Sequence, residues 1–432
     1  MLPPMEEVYA GRSIFITGAS GFVGKSVLFN QLRRTFPQRL RKVVVIEGDI
    51  SEDDFGISEE NLKRVLSETS VVFHCAATVR FDDKLKKAAD LNIRGVRRMV
   101  SLCQRMPKLD AFLHCSTAFA NSDKPGSNIT ETLHPIDCDA HKLLTALENL
   151  EDSQINLIAG DLIKNHPNLY CFTKLLGEQI IVRDASNLPA LIFRPSIISP
   201  VWKDGIPGWS DAFQGLTAML GAVSDYVECE TNFICSQRYS GAIPRYPMHS
   251  INPKTIMDCV PIDVVTSMMI YAMQYPTERL LSPPSFTLRG FPAIESYRHK
   301  FRATYVGPAM DGFSSILRQP PMWTKIYNKL RSAYEALIPF AQFYHFESPS
   351  IDKLKAMMTD DDKKIFDFDV RKIKWDDYGC DLIMGMKTFL MKDDVVDAHK
   401  IRLAKMNLLS HQLMGLLPLY AICYFISEVV TG

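Results

Sequence analysis

Tyr170 and Lys174 stand four residues apart in Tyr170-Cys171-Phe172-Thr173-Lys174, a spacing that puts both on one face of a helix. A tyrosine hydroxyl at its ordinary pKa of about 10 exchanges protons poorly at neutral pH, but a neighbouring ammonium and a bound nicotinamide favour its phenolate. Proton transfer to a nascent alkoxide then becomes feasible. Alone, the pair reads as an amphipathic tyrosine and a surface lysine. Ser116 and Thr117, at the end of a strand that follows the glycine-rich start of the chain, change that balance. One hydroxyl there can hydrogen-bond a substrate carbonyl while Tyr170 protonates it and hydride arrives at carbon. The sequence leaves open which of the two faces the cleft; the other caps or braces the strand.

A second group of residues works through absent side chains. Gly18-Ala19-Ser20-Gly21-Phe22-Val23-Gly24 follows the apolar run Ile14-Phe15-Ile16 and opens a segment of helical pattern. Gly18 suits a tight turn, Gly21 lets a pyrophosphate reach the backbone, and Gly24 permits close packing of helix on sheet. The helix N-terminus supplies N–H groups and a positive dipole. Strand, glycine turn and helix in that order point to a dinucleotide site, with Gly18, Ser20, Gly21, Phe22, Val23 and Gly24 as its contacts. The plainer reading is a structural turn with no ligand.

These residues need a scaffold that brings both groups together. Strands at 13–17, 43–47, 71–77, 111–114 and 190–193 and helices at 22–36, 59–68, 85–105 and 170–184 alternate along the chain. The alternation predicts an α/β fold, a doubly wound, mostly parallel Rossmann-like sheet covered on both faces. Ala76 and Ala77 close the strand at 71–77 with small side chains that allow a cofactor close approach. A smaller substrate region over 201–290 holds the loop Asp204-Gly205-Ile206-Pro207-Gly208-Trp209, an apolar segment suited to lining a pocket, a strand and helix over 259–275, and a strand over 285–289 returning to the sheet. Beyond it the pattern is helical, with segments at 323–340, 350–358 and 376–391. The expected division is an NAD(P)-binding domain over 11–290 with its cofactor half at 11–200, a connecting helical region over 291–345, a C-terminal helical domain over 346–405 and a hydrophobic tail over 406–430.

Composition narrows the partners. Forty-nine basic residues balance 49 acidic ones, which argues against a nucleic-acid partner and against extensive disorder. Ten cysteines without CxxC spacing read as buried reduced thiols rather than disulfides or a metal cluster, and no metal is expected. The first eleven residues are too short and too acidic for a signal peptide. Residues 408–430 are mostly apolar, with Pro418 in the middle and Arg402 and Lys405 just before. Their length is near the minimum for a membrane span. A lipid membrane is therefore an expected partner through this tail, as a span or a surface attachment, with a buried terminal helix as the alternative.

Other candidates carry less. His74 and His114 precede small residues at strand ends and read as packed scaffold histidines, since no carboxylate or cysteine set at metal-ligand spacing joins them. Cys75, Cys115 and Cys171 adjoin the expected site without a partner base and read as inert thiols. Arg80 and Lys84 read either as phosphate contacts or as solvated charge.

Taken in order, Ile16 to Lys25, Glu47-Gly48-Asp49-Ile50, His74 to Asp82, Asn92-Ile93-Arg94-Gly95, His114-Cys115-Ser116-Thr117-Ala118-Phe119, the Tyr170–Lys174 motif, Phe193-Arg194-Pro195-Ser196 and Pro207-Gly208-Trp209-Ser210-Asp211 resemble the fatty acyl-CoA reductases of the extended short-chain dehydrogenase/reductase superfamily. Phe366-Asp367-Phe368-Asp369-Val370-Arg371 and Ile373-Lys374-Trp375-Asp376-Asp377-Tyr378 look like the C-terminal domain that accompanies them. The resemblance implies NADPH, with NADH as the alternative, and reduction of a long-chain fatty acyl-CoA through an aldehyde to a primary alcohol. It makes Tyr170 the acid, Lys174 its electrostatic partner and a cofactor contact, and Thr117 or Ser116 the group that polarises the carbonyl. It puts Asp49 and Ile50 near the adenine, Ala76 and Ala77 beside the cofactor, Arg194 near its far end or the substrate entrance, and the acyl chain along residues 209–220. It also implies an intracellular membrane, peroxisomal or endoplasmic reticulum, with the catalytic domain facing the cytosol; a homo-oligomer is compatible with it.

One departure stands out. In the resembling family a strand ending in a basic residue, and a long stretch after it, separate the first helix from the Gly-Asp strand; here Phe36-Pro37-Gln38-Arg39-Leu40-Arg41-Lys42 runs almost directly into Val43-Val44-Val45-Ile46-Glu47-Gly48-Asp49. Either residues 43–47 fill the second-strand position, or Arg39, Arg41 or Lys42 replaces the lost cation, or the chain is a shortened form. As a true second strand, 43–47 would bring Glu47 to the ribose and favour NAD by charge repulsion. The competing functions are thus an active reductase, a lipid-binding or regulatory relative without a complete ribose pocket, and a dehydrogenase acting on another lipid.

Overall fold

The computed structural model describes residues 5–29, 41–123, 128–133, 136–163, 166–213, 256–273, 280–281, 286–289, 302–316 and 345–392, with single positions at 215, 217, 321, 324, 325, 328, 331, 332 and 340. They belong to two compact units. The first comprises Met1–Pro207, Ser250–Tyr297 and Tyr334–Ile373, the second Gly208–His249, Arg298–Ala333 and Lys374–Gly432.

The first unit alternates strand and helix. β1 (Ser13–Thr17) turns into α1 (Phe22–Phe29), and α2 (Glu59–Glu68) leads to β2 (Thr69–His74). α3 (Leu85–Ala89) widens into a π-helical turn at Asp90–Arg94 and continues as α4 (Gly95–Gln104) before β3 (Ala111–Cys115). After β4 (Asn128–Ile129) come α5 (Ala140–Asn149), α6 (Asp152–Ile163), α7 (Leu169–Asp184), β5 (Ala190–Phe193) and β6 (Ile197–Ser199). β7 (Ile256–Pro261), α8 (Ile262–Ala272), β8 (Leu280–Leu281), β9 (Phe286–Arg289) and β10 (His345–Phe346) complete the strands.

Five strands form one parallel sheet in the order β1-β2-β3-β5-β8. β2 and β3 are buried along their whole length, as strands covered on both faces must be. One face packs Val72, Phe112 and Ile192 against Ile93, Val96 and Met99 and against Phe172, Leu176 and Ile180 of α7. The register sets His74 beside His114 and Cys115 beside Phe193. The chain therefore leaves β2, β3 and β5 at one carboxyl edge, where open α/β sheets bind ligands. α7 starts where Asn168 accepts a hydrogen bond from the Cys171 N–H at 3.0 Å, an N-cap that fixes Tyr170 in its first turn.

Three expectations are corrected. Residues 43–47 form no strand: the segment is irregular, Val44 and Val45 are 51% and 86% exposed, and only Ile46 packs on the core. Its apolar run has the composition of a strand, but a strand is held by its ladder and its neighbours' side chains. Among the described residues none pairs with the outer edge of β1, where Ile14 is 46% exposed; residues 30–40 lie outside the described ones. Second, residues 286–289 do not return to the main sheet but pair antiparallel with β7 in a separate sheet, β6-β7-β9. Third, the membrane assignments fall. Among the described residues no helix is long and apolar enough to cross a membrane; α7, at 16 residues, carries Lys174, Glu178, Arg183 and Asp184, whereas a span takes about 20 predominantly apolar residues. The transmembrane helix, the membrane as partner through the tail, and residence at a peroxisomal or endoplasmic reticulum membrane thus have no structural support. Residues 408–430, on which they rested, lie outside the described ones.

In the second unit a π-helical turn at Arg302–Val306 runs into a helix at Gly307–Ile316, and a helix at Trp375–Gly385 continues as a π-helical turn at Met386–Met391. Gly208, at φ +76°, meets the Asp381 carbonyl and Gly385 so closely that a Cβ there would collide. The segment expected over 323–340 lies largely outside the described residues.

The packing of α7 is tightest at Gly177, where a Cβ would stand 2.8 Å from the Asn92 carbonyl oxygen. On a free helix, Gly→Ala stabilises by about 1 kcal/mol; here we expect Gly177→Ala to destabilise by about 1–3 kcal/mol through overpacking. A lowered urea midpoint is the expected reading, and an unchanged or raised one would contradict the close approach.

Candidate active site

β1 delivers its last residue, Thr17, into the interior, and the chain reverses at Gly18 with φ +68°. A Cβ at Gly18 would stand 2.7 Å from the Ala76 nitrogen and 2.9 Å from its Cα. The loop thus rests directly on the small residues that leave β2. The Gly21 N–H donates to the Gly18 carbonyl and the Lys25 N–H to the Gly21 carbonyl, each at 2.9 Å. A Cβ at Gly24 would collide with the Gly18 carbonyl and lie 2.7 Å from the Ala19 Cα. Ser20 and Gly21 are exposed, Phe22 and Val23 half-buried. The three glycines therefore hold a cradle at the start of α1 that any Cβ at Gly18 or Gly24 would fill. Such a cradle fits a dinucleotide pyrophosphate.

The residues expected near the adenine are built differently. Asp49 is exposed, and its carboxylate accepts from the Ser51 N–H at 2.8 Å and the Ser51 hydroxyl at 2.7 Å, bonds that hold it below the usual carboxylate range. Ile50 covers Gly95, and Arg98 donates to the Ile50 carbonyl at 3.0 Å. Arg41 and Lys42 are exposed, and Arg39 lies outside the described residues. Arg80 is engaged with Asp82 in an exposed ion pair.

At the other end, the structure distinguishes the two hydroxyls that the sequence could not. The Thr117 hydroxyl lies near enough to the Tyr170 phenol to act on it; it donates to the Pro195 carbonyl at 3.4 Å and accepts from the Phe119 N–H at 3.3 Å. Ser116 turns the other way and donates to Glu178 at 2.5 Å. Lys174, 3% exposed, donates to the Cys115 carbonyl at 2.7 Å. Burial pushes the Tyr170 phenol above its ordinary value, Cys115 and Cys171 add to the rise, and the Thr117 hydroxyl opposes it. Burial pulls the Lys174 ammonium down, against the upward pull of Cys115, Cys75 and Glu178.

Arg194, expected near the cofactor's far end or the substrate entrance, is 1% exposed and forks onto Glu178 through Nε at 2.9 Å and Nη2 at 2.6 Å. His74 and His114 stack with ring centroids 5.5 Å apart. Burial and then Lys174 push His74 down to about 3 and His114 well below its usual value, so both stay neutral scaffold groups. Cys115 raises the Cys75 thiol and Cys75 lowers the Cys115 thiol, and burial pushes the Cys171 thiol up to about 12.

Sequence reasoning missed two features. Asn92, 1% exposed, donates to the Thr78 carbonyl and the Thr173 hydroxyl, both at 3.1 Å, and accepts from the Thr78 N–H at 2.9 Å. It ties the exit of β2 to the residue before Lys174; its signal was an amide at the first position of Asn92-Ile93-Arg94-Gly95, on the same helical face as the apolar Ala88, Ala89, Val96 and Met99. The second is an aromatic wall. Phe81 lies 6.1 Å from the Tyr170 ring and 5.5 Å from Phe340, which stands 4.8 Å from Phe119, and Phe119 stands 5.5 Å from Phe346. These residues are far apart in sequence and share no motif. Of the residues expected to line the acyl chain, 218–220 and two others lie outside the described ones.

Comparison with known proteins agrees with this arrangement. Residues 27–269 match an NAD-binding family model described as male sterility protein, and residues 303–393 match a second model of the same description; the glycine loop precedes the first match and stands on its own geometry. Fatty acyl-CoA reductase 2 of Homo sapiens is 27% identical over 470 residues, covering 91% of this chain and 87% of the relative. The putative fatty acyl-CoA reductase CG8306 of Drosophila melanogaster is 28% identical over 482 residues, covering 92% and 90%. Both alignments are longer than this 432-residue chain, so parts of both relatives have no counterpart here. The terminal R domain of the myxalamid PKS-NRPS pathway shares the fold at a TM-score of 0.55 and 16% identity, over 89% of this chain and 93% of that one. With its NAD(P)-binding Rossmann-like domain and the C-terminal domain that accompanies it, the chain belongs to the fatty acyl-CoA reductase family of the extended short-chain dehydrogenase/reductase superfamily.

Proposed function

We propose that the protein reduces long-chain fatty acyl-CoA to a primary fatty alcohol and CoA with two equivalents of NADPH, through an aldehyde. The observation that carries this reading is the meeting of Lys174, Tyr170 and Thr117 at the exit of β3, with Lys174 on the Cys115 carbonyl at 2.7 Å, the Thr117 hydroxyl acting on the Tyr170 phenol and the Phe81 ring 6.1 Å from Tyr170. Gly18, Gly21 and Gly24 would hold the pyrophosphate, and Ala76 the approach beside it. Bound there, the nicotinamide supplies hydride to the carbonyl carbon.

The chain's own residues handle the oxygen. Thr117 donates a hydrogen bond to the carbonyl, and Tyr170, kept protonated by burial, gives its proton to the oxygen as charge develops. Lys174 replenishes the positive potential there and draws the phenol toward release. The apolar acyl chain lies along the aromatic wall, which excludes water from the reacting carbon. In the first reduction the thiolate of CoA leaves and takes up a proton; in the second the aldehyde oxygen receives one. An active reductase should form alcohol from acyl-CoA and NADPH with purified protein; intact cofactor binding without aldehyde or alcohol would refute the reading.

A second reading has one observation in its favour, the unpaired outer edge of β1 among the described residues. It makes the protein a lipid-binding or regulatory relative without a complete ribose pocket. Tight NADPH binding by calorimetry would exclude it.

Three results are expected of the first reading. Tyr170→Phe should lower kcat by about a hundredfold or more and leave NADPH affinity nearly intact; retained turnover would remove Tyr170 from its role. Gly24→Ala should weaken NADPH binding about tenfold or more, a loss of roughly 1.4 kcal/mol, because its Cβ meets the Gly18 carbonyl; unchanged affinity would show that the cradle holds no pyrophosphate. Because the Lys174 pKa lies below the ordinary lysine value, its charge is complete at low pH and lost as pH rises through that lowered pKa. Turnover should fall on an alkaline limb below the ordinary lysine range, and a profile flat across it would contradict the role of the ammonium.

A further inference from the structure

We infer that Glu178 and Arg194 are a positioning pair for the reaction, joining the helix that bears Tyr170 and Lys174 to the strand ends that bear Thr117. This rests on the reading above and goes beyond it, because neither residue reaches the carbonyl or the cradle.

The pair is completely enclosed, with side chains 0% and 1% exposed. Glu178 Oε1 accepts from Arg194 Nε at 2.9 Å and from the Ser116 hydroxyl at 2.5 Å, while Oε2 accepts from Arg194 Nη2 at 2.6 Å. Arg194 Nη1 reaches the Thr130 carbonyl at 3.4 Å. Enclosure on this scale is no stability device by default, since apolar residues of similar volume often serve as well. What the fork adds is direction, because a planar guanidinium and a carboxylate meet in one geometry.

That geometry bears on Thr117 from both sides. Ser116 before it is held by Glu178 and by the hydrogen bond from its own N–H to the Phe193 carbonyl at 2.7 Å; Ala118 after it is held by the Pro195 carbonyl at 2.9 Å. Phe193 and Pro195 are the two neighbours of Arg194. Glu178 in turn stands one helical turn beyond Lys174 and two beyond Tyr170, on the same face. One carboxylate thus sets the exits of β3 and β5 against α7, the three segments that must bring the phenol and the threonine hydroxyl to one oxygen. A misplacement of about 1 Å in such an arrangement lowers a rate by about a hundredfold.

Glu178 also acts through charge. Lys174 is faced by Glu178 on its own helix, by His74 and Cys75 at the exit of β2 and by His114 and Cys115 at the end of β3, with Arg194 paired to Glu178. The carboxylate supports the ammonium, so removing its charge moves the loss of that ammonium to lower pH.

Three full-length variants separate the two effects. Ser116→Ala cuts the link and keeps the charges; kcat should fall about tenfold or more, with KM for acyl-CoA and NADPH affinity within about twofold and the pH profile in place. Glu178→Gln keeps an acceptor for Ser116 and removes the charge; the alkaline limb should move to lower pH. Glu178→Gln with Arg194→Gln removes both charges together, avoids an unpaired buried guanidinium if the single variant does not fold, and should lower kcat with NADPH affinity kept. A readout independent of turnover follows the Lys174 resonance in protein carrying ¹³Cε-lysine, assigned by its loss in Lys174→Arg; Glu178→Gln should titrate at lower pH than the native chain. Wild-type kcat in Ser116→Ala and in the double variant would overturn the proposal, as would kcat, KM and cofactor affinity falling together with the melting temperature, which marks a merely structural pair. If the native protein reduces no acyl-CoA while the Lys174 titration shifts as expected, the reaction assignment fails and the electrostatic part of the proposal stands; a reductase whose Lys174 titration does not move refutes that part alone.

Discussion

A lysine buried to 3% exposure keeps its charge only if its surroundings supply what water no longer does, and the carboxyl edge of the sheet is arranged around that requirement. The ammonium is given a carbonyl acceptor by Cys115 at 2.7 Å. It is given neutral histidines beneath it, since any protonation of His74 or His114 would set like charges side by side. It is given a carboxylate one turn along its helix, and that carboxylate must itself be neutralised, which is what the Arg194 fork does. These partners arrive from the ends of β2, β3 and β5 and from α7 itself, so the parallel register of the three strands is a precondition for keeping one cation inside.

Local chemistry was legible wherever it depends on neighbours in sequence. The glycine loop could be read because φ +68° at Gly18 and the close approach of Ala76 exclude a side chain. The common face of Tyr170 and Lys174 follows from helical periodicity alone. Which of the two hydroxyls turns to Glu178 could not be read, because that contact joins Ser116 to a residue 62 positions away. The aromatic wall was equally hidden, since Phe81 and Phe340 meet only through the fold. Residues 43–47 misled in the opposite sense: their composition is that of a strand, yet no described strand pairs with them. The segment at 286–289 was read correctly as a strand and assigned to the wrong sheet, because its antiparallel partner β7 cannot be recognised from period two.

The two ends of the site are held by different physics. Around Tyr170 the contacts are buried and reciprocal: Asn92 spans the exit of β2 and α7 with three hydrogen bonds, and Glu178 spans the exits of β3 and β5. Around Asp49 the contacts are local and exposed, a turn closed by Ser51 and by the Phe55 carbonyl. Surface polar contacts of that kind contribute little and are easily rearranged. Among the described residues the surroundings of Tyr170 are thereby more tightly determined than those of Asp49.

This asymmetry decides where the contraction after Phe36 should be felt. A charge-assisted hydrogen bond to a cofactor phosphate contributes about 1.5–3 kcal/mol, so losing one cation at the ribose would weaken NADPH relative to NADH by roughly one to two orders of magnitude. On the proposed reading it would leave the nicotinamide end in place, because the approach of Gly18 to Ala76 and the segments joined by Asn92 and Glu178 are made by other residues. A shortened adenosine side therefore acts first on which dinucleotide is held and how tightly. On the proposed reading, the contacts that hold the helix of Tyr170, through Asn92 to Thr173 and through Glu178 to Ser116 and Arg194, are made by residues outside the contracted segment.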